Sequence, residues 1–181
     1  MVKVFSLSVK SEFYNCVTPQ RFFEFVKSNG IKGIIDIRRS AAKSDNGIFQ
    51  DVVLPYICNL ESVDYQRNLQ LAPPKELFKR CDDEKWNMLK YAKEYLTENI
   101  VGELKSLSLE MIDGKAFMCS ENALYNCHRW ICVEAVKAMY KDKVEIEHLG
   151  LIRYKRNGEH KGAIPYDVEL KSREYIESIF G

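Results

Sequence analysis

Apolar residues crowd into two short runs, Ile31 to Ile37 (IKGIIDI) and Ala116 to Met118, that leave no polar side to face water. Such runs are strands covered on both faces, the habit of parallel sheets. A looser alternation from Lys3 to Val9 predicts a first strand, Val63 to Gln66 a third, and Val144 to Leu149 (VEIEHL) a half-buried one. Between them the period lengthens to that of a helix. Thr18-Pro19 opens the first, with Phe22, Phe25 and Val26 on one face and Asn29-Gly30 as its stop. Phe49 to Tyr56 is a short element of undecided type, and Pro73-Pro74 starts a further helical region. Met88, Tyr91, Ala92, Tyr95 and Leu96 predict a helix over 84–98, and Leu104 and Leu107 one over 101–111. A central apolar helix follows His128, and an amphipathic one spans 166–180. Strands alternating with helices over short connections predict an α/β fold, a mostly parallel sheet flanked by helices on both faces.

The chemistry gathers where these elements meet. The strand before Cys119 gives way to a polar loop, Ser120 to Asn126, and then to Cys127-His128-Arg129 at a helix start. Asp36, Arg38 and Arg39 fall at the end of the Ile31 run. In an open α/β sheet, ligands collect where strands end and helices begin. With Asn126 as cap, Cys127, His128 and Arg129 occupy a first turn, whose free N–H groups and dipole favour an anion and lower a thiol's pKa. Cys132, one turn further on among Ile131, Val133, Ala135 and Val136, reads as a core residue.

The segment CSENALYNCHR, Cys119 to Arg129, resembles the signature of the domain of unknown function 488 family: a cysteine, a glutamate two positions on, and a later Cys-His-Arg. IIDIRR, Ile34 to Arg39, is similar to that family's Asp-aliphatic-Arg strand end, and His148 to its terminal histidine. The likeness covers roughly Lys3 to Gly150. It departs at Ser6-Leu7-Ser8, where a glycine-containing turn is usual, and at Ser40-Ala41, where a proline-bearing segment is. The resemblance implies a cytoplasmic α/β domain over 1–150, and the basic turn and terminal helix of 151–181 are expected to pack on it.

Three functional readings follow. In the first, Asp36, Arg38, Cys119, Glu121, Cys127, His128 and Arg129 share one pocket for a small anionic ligand or nucleotide. Glu121 serves there as general base, His128 as acid, Cys127 as an activated thiol, and Arg38 and Arg129 as the grip on phosphate or carboxylate. The alternative at the same residues is a structural network of ion pairs. In the second, Cys119, Cys127, His128 and His148 are of the kinds that bind zinc. Spacing counts against this, because seven residues separate the two cysteines and Cys127 adjoins His128, so no metal and no other cofactor is expected. Thiol redox between Cys119 and Cys127 likewise lacks a two-residue spacing. In the third, Arg153, Tyr154, Lys155, Arg156, His160 and Lys161 form a basic turn for nucleic acid, or else a solvated hairpin around Asn157-Gly158.

Composition narrows the choice. The 181 residues carry 27 Lys plus Arg against 26 Asp plus Glu, for a net charge of +1, so nucleic acid must be met by a local patch rather than a global field. No window has the roughly 20 apolar residues of a membrane span, and no signal peptide is read at the start. Six cysteines without a disulfide-rich pattern fit a reduced, cytoplasmic protein. Nothing in the chain predicts an oligomeric state.

Overall fold

The computed structural model describes residues 1–9, 18–40, 47–80, 87–121, 124, 127–149, 154–156, 159–161 and 166–181; the side chains of 78–80, 154–156 and 159–161 lie outside the description. Five strands, β1 (Val2–Ser8), β2 (Gly33–Asp36), β3 (Asp64–Arg67), β4 (Lys115–Cys119) and β5 (Val144–Leu149), form an all-parallel sheet in the order β3-β2-β4-β1-β5. The eight helices of the described residues are α1 (Pro19–Ser28), α2 (Val53–Leu60), α3 (Lys75–Arg80), α4 (Met88–Tyr95), α5 (Glu98–Ser106), α6 (Leu109–Ile112), α7 (His128–Tyr140) and α8 (Tyr166–Phe180). The expected α/β architecture is therefore present, and the sheet is wholly parallel.

Strand order dictates which face each helix covers. From β1 to β2 to β3 the chain travels toward one edge of the sheet, and from β3 to β4 to β5 it travels back toward the other. Right-handed crossovers made in opposite directions put their helices on opposite faces. Accordingly Phe22, Phe23 and Val26 of α1 and Leu54 and Cys58 of α2 pack with Phe5, Leu7, Ile34, Ala116 and Met118. The alternate strand residues Val4, Ile35, Ile37 and Phe117 pack with α4, α5, α7 and α8. One parity of each strand feeds one core, as a period of two requires.

Local chemistry sets the helix ends. Thr18 caps α1 by accepting from Arg21 N, and Pro19 sits at its first position. At its other end Gly30 takes φ +72°, and two bonds, Gly30 N to Lys27 O at 2.9 Å and Ile31 N to Val26 O at 3.1 Å, close a Schellman motif. The residues it brings together, Val26 and Ile31, are buried in one core. The helix predicted over 101–111 is two helices, because Leu107 is extended (ψ 109°) and Ser108 caps α6 by accepting from Met111 N. The element of undecided type is a 3-10 turn, Gly47–Phe49, followed by α2. The start of the helix predicted from residue 84 lies outside the described residues, and α4 runs from Met88 with Asn87 as cap.

The tail adds α8, whose Ile176 and Phe180 join the α7-side core. Before it, β6 (Tyr154–Arg156) and β7 (Glu159–Lys161) pair antiparallel. Their side chains, and with them the basic cluster proposed for nucleic acid, lie outside the described residues. No helix among the described residues is long and apolar enough to cross a membrane.

Candidate functional site

Sheet topology selects the place. β4 lies between β2 and β1, whose outgoing connections pass to the α1/α2 face, while its own passes to α7 on the other. Chains leaving neighbouring strands in opposite directions open a crevice at the carboxyl edge. Cys119, the last residue of β4, stands at that point with the parity of Phe117, toward α7.

The first residues of α7 meet it there. Cys127 is the N-cap residue, with extended φ −134° and ψ 136°, and His128 begins the helix. Asn126, the expected cap, lies outside the described residues. The change from extended to helical backbone lets adjacent side chains, which diverge along a strand, face the same way. His128 Nδ1 lies 3.7 Å from Cys119 Sγ and 3.8 Å from Cys127 Sγ. Its other nitrogen, Nε2, is 2.9 Å from the Ile37 carbonyl oxygen. A carbonyl only accepts, so Nε2 carries the hydrogen and Nδ1 is the atom presented to both sulfurs. The Tyr95 ring packs against the imidazole, 5.6 Å between centroids.

Electrostatics separate the two thiols. Burial acts to raise the Cys119 thiol, yet a hydrogen bond from Cys127, the charge and hydrogen bond of His128 and the charge of Arg129 outweigh it, holding Cys119 well below the ordinary thiol range. Cys127 moves the other way: burial, then the bond to Cys119 and its charge, push it well up. The lowering falls on Cys119, whereas the helix-dipole argument favours Cys127, because a neighbouring sulfur that takes charge opposes a second charge beside it. Cys132 is pushed up to about 12, chiefly by burial, and its contact is the Tyr95 hydroxyl at 3.3 Å.

Arg129 is buried beside these groups and donates to the backbone carbonyl of Glu121, which also accepts from Ser8 Oγ at 2.8 Å. Glu121 itself is exposed at the rim.

The remaining predicted residues assemble elsewhere. Asp36 has the parity of Ile34 and belongs to the α1/α2 face, where Arg38 binds it through two nitrogens and gives the third to the Phe49 carbonyl at 2.8 Å. The residues expected in one pocket fall into two hydrogen-bonded sets, Cys119-Cys127-His128-Arg129 with the Glu121 carbonyl, and Asp36-Arg38, near enough at the strand ends for the charge of Cys119 to act on Arg38. Alternation along β2 is the reason: Ile37, between Asp36 and Arg38, is the residue that turns toward α7. His148 belongs to neither group. Its Nδ1 lies 2.9 Å from Ser6 Oγ and its Nε2 3.7 Å from Glu134.

Sequence reasoning missed three contributors. Tyr65 donates to Asp36 at 2.8 Å, Ser8 holds the Glu121 carbonyl, and the Ile37 carbonyl orients His128. Tyr65 is signalled by its register two residues from the Asp36-Arg67 pair in the neighbouring strand, and so on the same face, but a backbone carbonyl leaves no mark in a sequence.

A doubly wound parallel α/β protein with a buried thiol-imidazole cluster at its reversal point is the class these features define. The family described as domain of unknown function DUF488 matches residues 18–136, and the chain belongs to that family. No curated protein and no solved structure matches it.

Proposed function

We propose that this protein binds a small anionic molecule, a phosphate or carboxylate bearer such as a nucleotide, at the carboxyl edge of β1 and β4, and acts on it with the Cys119-Cys127-His128 cluster. The observation that carries the reading is the burial of Arg129, 1% exposed, in the first turn of α7 beside two thiols and an imidazole. Ionisable groups collected this densely in an apolar setting are costly to fold, and such collections concentrate at functional sites. The positive end of α7 adds to the arginine's pull on an anion. Glu121, exposed at the rim, is the general base of this reading, with Cys119, Cys127 and His128 as its reacting groups. Each nitrogen of Arg38 is bonded within the fold, so that pair is assigned to the scaffold beneath the site rather than to the ligand.

Titration of inorganic phosphate and a nucleoside monophosphate into isotope-labelled protein tests this. Backbone amides of His128 to Trp130 are expected to shift, and Arg129→Gln to weaken binding about tenfold or more, the loss of a charge-assisted hydrogen bond of about 1.5–3 kcal/mol. If no anion moves these amides, or Arg129→Gln and Arg129→Lys both bind as the wild type does, the reading fails. Salt-sensitive retention of a random oligonucleotide, with these amides unmoved, would transfer the function to the basic segment Arg153 to Lys161.

A further inference from the structure

We propose that Cys119, Cys127 and His128 form a binding site for a soft divalent metal ion, zinc, through two sulfurs and one imidazole nitrogen, with a fourth position open. The three donor atoms lie within 4.8 Å of one another and all three residues are buried. Two distances set the scale, 3.7 Å and 3.8 Å from His128 Nδ1 to the two sulfurs. A tetrahedral zinc with bonds of about 2.3 Å to sulfur and about 2.0 Å to nitrogen requires S···N edges of roughly 3.5 Å and an S···S edge of roughly 3.8 Å. Shifts of a few tenths of an ångström bring the two S···N edges to that length, and the S···S edge starts from no more than 4.8 Å.

A single thiol-imidazole hydrogen bond accounts for one sulfur, yet two stand nearly equidistant from Nδ1, and Cys127 is itself bonded to Cys119, so all three donor atoms converge on one point. A shared ion satisfies all three atoms at once. The remaining nitrogen bonds the Ile37 carbonyl at 2.9 Å, the outer contact that metal-bound histidines ordinarily make and that fixes Nδ1 as the ligand. Two thiolates and an imidazole are a soft to borderline set, which selects zinc over magnesium or calcium. Three protein ligands, with no carboxylate grouped with them among the described residues, leave a place for water or a ligand atom, as in zinc sites that do chemistry.

The spacing argument against a metal fails here for a topological reason. Short Cys-Cys spacings serve domains whose ligands come from one turn. In this fold the sheet brings a strand end and a helix start together across the loop, and the bend at Cys127 turns two neighbouring side chains inward. Filling the open position with the proposed anion rests on the reading of the preceding subsection, whereas the metal site does not.

The test is cobalt titration of the reduced, metal-stripped full chain, with elemental analysis of protein purified without chelators. The expected results are one zinc per chain and, on adding cobalt, the visible bands of a tetrahedral ion with sulfur-to-cobalt charge transfer in the near ultraviolet. Cys119→Ser and Cys127→Ser should each lose the charge-transfer intensity, and Cys58→Ala should keep it. Absence of any cobalt spectrum in the wild type overturns the proposal without recourse to a variant, and so does metal retained undiminished in both serine variants. Zinc bound with no anion response leaves this site standing and removes the anion reading, and anion binding by a protein that takes no metal does the reverse.

Discussion

Arg38 closes on the carboxylate of Asp36, two residues before it, with Nε donating to Oδ1 at 2.8 Å and Nη2 to Oδ2 at 2.6 Å. Both residues are buried, and the backbone N–H of Arg38 and the Tyr65 hydroxyl complete the shell at 3.1 Å and 2.8 Å. Burial tends to lower the arginine's pKa, but the bond to Asp36 and its charge raise it further, so the guanidinium is a fixed cation. The pair joins the end of β2 to β3 and to the turn at Phe49.

Breaking that pair from one side should therefore be costly. Asp36→Ala leaves a buried guanidinium and Arg38→Met a buried carboxylate, each at about 3–5 kcal/mol, while the double variant should cost clearly less than the sum. Urea unfolding of the four proteins measures the coupling. Strictly additive costs would contradict a closed pair.

Gly33 is required by what passes over it. Lys115 and Asp64, its partners in the strands on either side, form an ion pair at 2.6 Å across it. A Cβ there would lie 2.7 Å from Asp64 Cβ and 2.8 Å from Lys115 Cδ. Gly33→Ala should cost about 1–3 kcal/mol through crowding in β2, read as a lower urea midpoint at unchanged slope. A neutral or stabilising result would show that the two side chains part freely.

Alkaline pH should weaken the fold through the buried thiol of Cys58. Burial, then the charge of Asp36, push Cys58 up to about 12, against an ordinary value of about 8.5. Between those limits the unfolded chain has lost a proton that the folded one keeps, so stability falls as pH rises, by up to about 1.4 kcal/mol per pH unit per thiol. Below about pH 8 this group contributes no slope. Cys58→Ala adds a cavity cost at every pH but should make the decline shallower, and a slope equal to wild type between about pH 9 and 11 would refute the assignment.

How much of this the sequence disclosed depends on what each residue had to do. The Ile31 and Ala116 runs announced β2 and β4 because strands second from an edge and central in the sheet are covered twice and so are apolar on both faces, Asp36 at the end of β2 being held by Arg38. Thr18-Pro19 and Asn29-Gly30 marked α1 at both ends, since caps act over a few adjacent residues. Cys119 and Cys127-His128-Arg129 were visible as chemistry at a junction, and the structure brings them together. The division of the site was not visible, although alternation through Asp36, Ile37 and Arg38 encoded it, because strand order, which decides what faces each side, is not a local property. The Ile37 carbonyl that orients His128 had no signature at all.

The clamp between α7 and α8 offers a test of local stability. Glu134 on α7 is 6% exposed, and its partners are Arg173 of α8 and, at 3.7 Å, His148. Arg173 also holds Glu169 one turn back, at 3.1 Å, and its guanidinium lies over the Trp130 ring, 5.4 Å from the centroid. The buried residues of α8 are otherwise Ser172, Ile176 and Phe180, a narrow apolar stripe for a helix of 15 residues. Arg173→Met keeps a long stem to cover Trp130 but removes the donor from a buried carboxylate, a loss of about 1–3 kcal/mol. Because the groups affected lie between α8 and α7, the loss should appear as easier opening of α8 rather than of the sheet. Hydrogen exchange should therefore quicken in 170–180 while β1 and β4 amides keep their rates, and Arg173→Lys, a cation without the fork, should fall between the two. Adding Glu134→Gln to Arg173→Met should recover part of the loss by neutralising the stranded carboxylate. Equal acceleration across α8 and β4 would mean that the helix and the sheet unfold as one unit and that this clamp has no local role.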